Sequence, residues 1–181
     1  MIAFPTLWQT LRCLLAGAAL SGCVLHAKTP LFSDADAVPL LGSHAITLSV
    51  FERKAGGWVA SDEPTVTAVP EGNHYTVPDA AAPNDPALAD RYAFIPLDPG
   101  HYVVQATAGG AADYAIATWD GQTLLVSGLD CAALKTSLKT NAIVGFVDDA
   151  CTLRPSTTPT KALFAQLLLA TPAPTLRLIR Q

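Results

Sequence analysis

Alternating apolar and polar positions predict β-strands through most of the chain after residue 44. Ile46, Leu48 and Val50 alternate with polar residues, as expected of a strand with one buried and one exposed face. The turn-forming residues 54–57 then separate this strand from a hairpin partner at 58–60. Further strands are predicted at 65–69, 75–77, 92–97, 101–107, 114–119, 122–127, 143–147 and 175–180.

Glycine and proline residues mark the connections between these strands. Asp98-Pro99-Gly100 predicts a turn, because proline presets one backbone angle and glycine accepts a positive φ. Asp120-Gly121 is a dipeptide that matches the twist of a two-residue β-hairpin. Residues 78–89 are rich in Ala, Pro and Asp and predict a long surface loop.

Two short helices are predicted near the C-terminus. Asp130 is placed to cap a helix over 131–140, and Thr158-Pro159 begins a second one with proline at its first position. The apolar stripe of the second helix consists of Leu163, Phe164, Leu167 and Leu168. The predicted fold class is therefore α+β: an antiparallel sheet of about six to eight strands, two short helices and one disulfide. Asp98-Pro99-Gly100-His101-Tyr102 resembles the Pro-Gly-x-Tyr turns of transthyretin-like β-sandwich modules, which leaves a sandwich-like sheet as an alternative.

The first 23 residues have the form of an export signal. A short apolar run at 13–20 follows the single charged residue Arg12, and a bilayer core would need about 20 apolar residues. The run ends in Leu20-Ser21-Gly22-Cys23, which resembles the lipobox of bacterial lipoprotein precursors. This resemblance implies cleavage before Cys23 and diacylglycerol on its thiol. The alternatives are an ordinary secretory peptide and a buried N-terminal helix with an incidental cysteine.

The same resemblance sets the expected domain boundaries and location. It implies a cleaved signal peptide at 1–22, a lipidated cysteine with a flexible tether at 23–44, and a single α+β domain at 45–181. Acyl chains on Cys23 would hold the protein on a membrane, because each buried methylene contributes about 0.8 kcal/mol. In such lipoproteins an aspartate after the cysteine retains the protein in the inner membrane. Val24 at that position implies the outer membrane, with the domain facing the periplasm.

The remaining cysteines predict a disulfide. After cleavage and lipidation, Cys131 and Cys151 would be an even pair in an oxidising compartment. A bond between them would contribute about 3 kcal/mol on the chain-entropy model. A metal site is the weaker alternative, since all four histidines precede residue 102. A redox pair would more often have the close spacing Cys-x-x-Cys.

Charge is low and unevenly distributed. A net charge of −4, with 14% charged residues, excludes disorder through excess charge and argues against nucleic-acid binding, which needs a basic face. Residues 23–130 carry four Lys or Arg and thirteen Asp or Glu, whereas residues 131–181 carry six and two. The six basic residues could form a docking face for an acidic partner or anionic glycan, or simply a solvated surface. They are Lys135, Lys139, Arg154, Lys161, Arg177 and Arg180.

The sequence contains no recognisable catalytic or cofactor motif. It lacks a Gly-x-Ser-x-Gly elbow, a phosphate loop, a dinucleotide fingerprint and a His-Glu-x-x-His pair. Asp98, His101 and Ser127 can be drawn as a triad, but their spacing does not support one. No catalytic residue, cofactor or metal ligand is therefore predicted. Four aromatic residues are expected to pack on strands, with a sugar-stacking platform as the alternative: Tyr92, Tyr102, Tyr114 and Trp119.

These observations together predict a non-catalytic lipoprotein of the cell envelope. Its domain would bind an envelope protein partner or scaffold an assembly, and its acyl chains would bind the membrane. One alternative is a module that captures a glycan or a toxin through the loop at 78–89. The other is a periplasmic cell-wall enzyme with an unrecognised site.

Overall fold

The structure, a computed structural model, describes residues 25–79, 82–129, 144–147, 150–153, 161–162, 164–165 and 173–181. Its elements, in chain order, are β1 (Leu25–Ala27), the 3-10 helix η1 (Asp34–Asp36), β2 (Ile46–Lys54), β3 (Gly57–Glu71), β4 (His74–Val77), β5 (Asp90–Asp98), β6 (His101–Ala108), β7 (Ala111–Trp119), β8 (Thr123–Gly128), β9 (Val144–Val147), β10 (Ala150–Leu153) and β11 (Leu176–Arg180).

Eight strands form a closed antiparallel β-barrel. Strands β2 to β8 pair with their neighbours in chain order, and β11 lies between β8 and β2. Leu176 in β11 is opposite Val126 of β8 on one side and Glu52 of β2 on the other. This double pairing closes the barrel and leaves neither end strand as an open edge.

A small side sheet extends from the barrel at β7. The first half of β7 pairs with β1, where Leu25 is opposite Tyr114, and its second half pairs with β8. Strand β1 also pairs in parallel with β10, which pairs in turn with β9. The chain from Leu25 to Ala27 is therefore held between two strands.

The predicted α+β class, with its sandwich-like alternative, is wrong. The fold is 59% strand and 6% helical, and the described part of the chain contains no helix of seven or more residues. The helix predicted at 131–140 lies outside the described residues, and the one predicted from Thr158 has helical backbone at 161–162 and 164–165. No disulfide is found in the described part, which includes Cys151 in β10 but not Cys131. Local periodicity identifies the eight barrel strands but not β1 or β10 of the side sheet, and it contains no information on whether the first and last barrel strands pair.

Most of the individual strand predictions are confirmed. The predicted strands at 58–60 and 65–69 are two parts of the long strand β3. The register of β3 against β2 shifts between Ser49 and Phe51, so the residues between the two parts form a bulge. Polar Ser61, Asp62 and Glu63 in this bulge interrupted the apolar pattern, and for that reason the sequence suggested two strands.

The β7–β8 hairpin turns one residue later than predicted. The backbone N–H of Asp120 donates to the carbonyl of Thr123 at 3.3 Å, which leaves Gly121 and Gln122 in the loop. Gly121 has φ +99°, a conformation that favours glycine. The Asp120 carboxylate accepts backbone N–H bonds from Gln122 and Thr123, at 2.9 and 2.6 Å, and these bonds lower the pKa of Asp120.

The inner face of the barrel forms one apolar core. Successive strand residues point to opposite sides of the sheet, so inward residues recur at every second position. Ile46, Leu48 and Val50 are each no more than 6% exposed, in agreement with the predicted alternation. The core also contains Leu41, Ala68, Tyr75, Val77, Phe94, Val104, Ala115, Ala117, Leu124, Val126 and Leu176.

A second apolar core covers the outer face of β5, β6 and β7. It contains outward residues of these strands, among them Ile95, Val103 and Ile116, together with Leu129 and Phe164. The N-terminal segment contributes Leu25, Ala27, Phe32 and Ala37 to it. This differs from the tether expected at 23–44. The apolar residues of that segment have no regular spacing because each one packs separately against the barrel.

A buried glutamine fixes the N-terminal segment to the outer face. Oε1 of Gln105 accepts the backbone N–H groups of Leu31 and Phe32 at 3.1 and 3.0 Å, and its Nε2 donates to the carbonyl of Phe32 at 3.1 Å. The hydroxyl of Tyr114 donates to Gln105 Oε1 at 2.9 Å and accepts the N–H of Leu31 at 2.8 Å. Gln105 is 5% exposed, so these hydrogen bonds lie away from water.

Candidate functional site: an apolar cavity inside the barrel

The barrel core contains a cavity of about 100 Å³ that is partly open to the surroundings. Twelve of its fourteen lining side chains come in pairs two positions apart, as expected of residues on the inner face of a strand. This barrel cavity is lined by Leu41, Leu48, Val50, Val66, Ala68, Tyr75, Val77, Tyr92, Phe94, Val104, Leu124, Val126, Leu176 and Leu178.

The barrel cavity carries no charged side chain. Tyr75 and Tyr92 are the lining residues with a polar side-chain atom. Burial raises the pKa of Tyr75, and burial together with the Asp90 carboxylate raises that of Tyr92. Both phenols therefore stay neutral at physiological pH. The cavity fits an uncharged, apolar molecule, since a buried unpaired ion would be strongly disfavoured.

An empty cavity of this size is costly for a small domain. In closed cores, loss of packing costs about 24 cal/mol per Å³ of cavity, which sets an upper bound of roughly 2 kcal/mol for the barrel cavity. Protein interiors are otherwise packed as tightly as organic crystals, with few voids larger than a water molecule. Ala68, a small inward residue among those that line the cavity, leaves part of this space unfilled. A larger side chain at this position would reduce the void.

One end of the barrel cavity is closed by the chain that precedes β2. We call this end, which carries the turns at 72–73, 99–100 and 120–122, the Gly100 end. The backbone N–H of Val38 donates to the carbonyl of Phe94 at 2.9 Å. Phe94 follows Ala93, which is opposite His74 at the start of β4, so this bond lies toward the Gly100 end. From there the chain enters the barrel, and Leu41 is 3% exposed.

Two of the three residues predicted for lipidation and the disulfide, Cys23 and Cys131, lie outside the described part of the chain. Cys151 lies in β10 at the position opposite Leu25 of β1. Leu25 is fully buried, and it follows Cys23 by two residues.

The predicted basic docking face is only partly described. Lys135, Lys139 and Arg154 lie outside the described residues, and Lys161 is exposed. Arg177 and Arg180 are three positions apart on β11, so they project from opposite faces of the sheet. The structure therefore does not place these two arginines on one face.

The triad drawn from the sequence does not assemble. Asp98 and His101 are hydrogen-bonded to each other across the β5–β6 turn. His101 is opposite Thr118 of β7, whereas Ser127 is opposite Ile116. Ser127 thus lies two strands and two residue rows away from His101. No group of three or more His, Cys, Asp or Glu is arranged for a metal ion among the residues whose placement is described.

The aromatic residues pack on strands as predicted. Tyr114 is 1% exposed and makes ring contacts with Phe32 and Phe164 in the outer core. Tyr92, Tyr102 and Trp119 pack against the inner core. The sequence identified these packing roles but not the barrel cavity. The feature of the sequence that corresponds to the cavity is the recurrence of apolar pairs two positions apart in six barrel strands.

No helix in the described ranges is both long enough and apolar enough to cross a membrane. Comparisons of the chain with protein-family models, with curated proteins and with solved structures found no match.

Proposed function

We propose that this protein is a non-catalytic binding module whose barrel holds one small apolar molecule or a short straight hydrocarbon chain. The observation that carries this proposal is the barrel cavity, which is apolar, uncharged and unfilled. An eight-stranded barrel has an interior just wide enough to be filled by side chains or to hold one small ligand. Here the side chains leave room.

The size of the barrel cavity limits what it can hold. A cavity of about 150 Å³ lined by aliphatic and aromatic side chains binds benzene or xenon and stays free of water. At about 100 Å³, this cavity would enclose roughly four carbons of a straight chain. Each buried methylene contributes about 0.8 kcal/mol, so affinity should rise about fourfold per carbon until the cavity is full.

A small apolar ligand fits the described surface better than the protein partner that the sequence suggested. Protein-binding surfaces usually present apolar side chains around a contact centre. In the described part of the chain, the large hydrophobic residues that are exposed are Val59 and Val69, at 45% and 37%. The apolar side chains are concentrated instead inside the barrel and under the N-terminal segment.

We also propose that the module is attached to the outer membrane, facing the periplasm, through acyl chains on Cys23. The sequence Leu20-Ser21-Gly22-Cys23 supports this proposal. Two residues of extended chain span at most about 7 Å, so the acylated residue would lie close to buried Leu25. The barrel would then lie directly on the bilayer surface, without a long spacer.

The test fills the barrel cavity and measures stability and binding together. Ala68 on β3 lines the cavity and is 3% exposed, so Ala68→Leu should occupy most of the void. We expect the free energy of unfolding in urea to rise by about 1–2 kcal/mol, because filling the void restores packing. Affinity for hexanol, measured by titration calorimetry, should fall at least tenfold.

The matched control is Ala60→Leu, which makes the same change at an exposed position of the same strand. It should leave hexanol affinity unchanged. The proposal fails if the wild-type protein binds no straight-chain alcohol, or if Ala68→Leu binds hexanol as tightly as the wild type.

A further inference from the structure

We infer that Leu41 is the end wall of the barrel cavity and sets the length of hydrocarbon chain that the cavity accepts. This inference rests on the proposed function and adds to it a residue that determines ligand length.

Leu41 differs from every other residue that lines the barrel cavity. The thirteen others lie on barrel strands and form its side wall. Leu41 precedes β2 and belongs to no strand. The barrel wall is continuously hydrogen-bonded, so a side chain from outside the strands reaches the interior through an end. The bond from Val38 to Phe94 places that entry at the Gly100 end.

The backbone around Leu41 is fixed by one tyrosine of the side wall. The hydroxyl of Tyr75 accepts the N–H of Leu41 and donates to the carbonyl of Gly42, each at 2.8 Å. Tyr75 is 1% exposed, so both bonds are shielded from water. The N–H of Gly42 also donates to the carbonyl of Pro39 at 3.0 Å. Leu41 is therefore presented to the cavity on a short, closed turn.

Gly42 gives this turn its shape. Its φ is +103°, in the region that favours glycine, and no atom lies within 4 Å of the position of an added Cβ. The chain can thus turn directly after Leu41 and leave the barrel to begin β2 at Ile46.

An end wall and a side wall have different effects on a straight ligand. Shortening the end wall lengthens the space along the strands, whereas shortening the side wall widens it. Leu41→Ala removes three carbons from the end, so the chain length at which affinity stops rising should increase by about two or three carbons.

The experiment measures the affinity of straight-chain primary alcohols, from ethanol to octanol, by titration calorimetry. It compares the wild type with Leu41→Ala and with the matched control Leu124→Ala. Leu124 lies on β8, lines the side wall and is 2% exposed, so it undergoes the same loss at a similarly buried site. We expect the longer plateau for Leu41→Ala and an unchanged plateau for Leu124→Ala.

Two results would overturn the inference while leaving the proposed function standing: Leu41→Ala keeps the wild-type plateau, or Leu124→Ala moves it as far. If the wild-type protein binds none of the alcohols, the proposed function fails and the inference falls with it. Should Leu41→Ala not fold, Leu41→Val removes a single carbon and should lengthen the plateau by about one carbon.

Discussion

Replacing Gln105 by leucine is expected to lower the free energy of unfolding by about 3 kcal/mol, a loss of more than a hundredfold in the folding equilibrium. The side chain of Gln105 makes four buried hydrogen bonds: three to the backbone of Leu31 and Phe32, and one to the hydroxyl of Tyr114. Leucine has a similar volume but has no hydrogen-bond donor or acceptor in its side chain. It leaves the N–H and carbonyl of Phe32 unpaired, and each unpaired buried group costs about 1–3 kcal/mol.

Urea unfolding of purified protein measures this loss of stability. A second effect is expected in the N-terminal segment alone. The N-terminal segment should exchange its amide hydrogens faster, because Gln105 fixes that segment to the outer face. Gln122→Leu, in the exposed β7–β8 turn, is the matched control and should change stability by less than about 0.5 kcal/mol. A loss for Gln105→Leu no larger than that of the control would show that the N-terminal segment does not depend on these bonds.

Replacing Cys23 by serine is expected to move nearly all of the protein from the membrane to the soluble fraction. Serine has no thiol to carry diacylglycerol, and several acyl chains are needed for stable attachment. Fractionation of cells that produce the full chain, followed by immunodetection, measures the distribution.

Cys13→Ser is the matched control for this experiment. It changes the cysteine inside the apolar run, which the lipobox resemblance places in the cleaved peptide, and it should leave the protein on the membrane. If Cys23→Ser remains attached as firmly as the control, the proposed anchor is refuted. The barrel cavity would not be affected by that result, since none of its lining residues precedes Leu41.

The barrel strands were predictable because each one is specified locally, whereas β1 and β10 of the side sheet were not predicted. Ile46, Leu48 and Val50 point inward, and the polar residues between them point outward, as the period of two requires. Closure was not predictable, because it depends on Leu176 pairing with strands about 50 and 125 residues earlier in the chain. No local pattern contains a contact over such a distance.

The sequence contains weak evidence that the outer face of the barrel is covered, but the alternating pattern of the strands obscures it. Ala93, Phe94 and Ile95 are consecutive and all buried, which indicates a strand covered on both faces. The residues that cover it, such as Leu25 and Phe32, lie in a segment without periodicity. That segment therefore looked like a linker, although each apolar side chain in it has a place on the barrel.

The barrel cavity could not be predicted at all from the sequence. Its inward residues could be identified by alternation, but the space between them depends on strand number, strand tilt and the position of Leu41. A fully packed barrel and a hollow one can have the same pattern of apolar positions. The volume becomes visible only when all the walls are in place.

The most direct test of a hollow, apolar barrel is diffraction from crystals under xenon pressure. Xenon binds in apolar cavities that are free of water. A xenon peak inside the barrel, in contact with Phe94, Val104 and Leu124, is the predicted result. Clear density for the protein with no xenon inside the barrel, at a pressure that fills known apolar cavities, would contradict the proposed binding function.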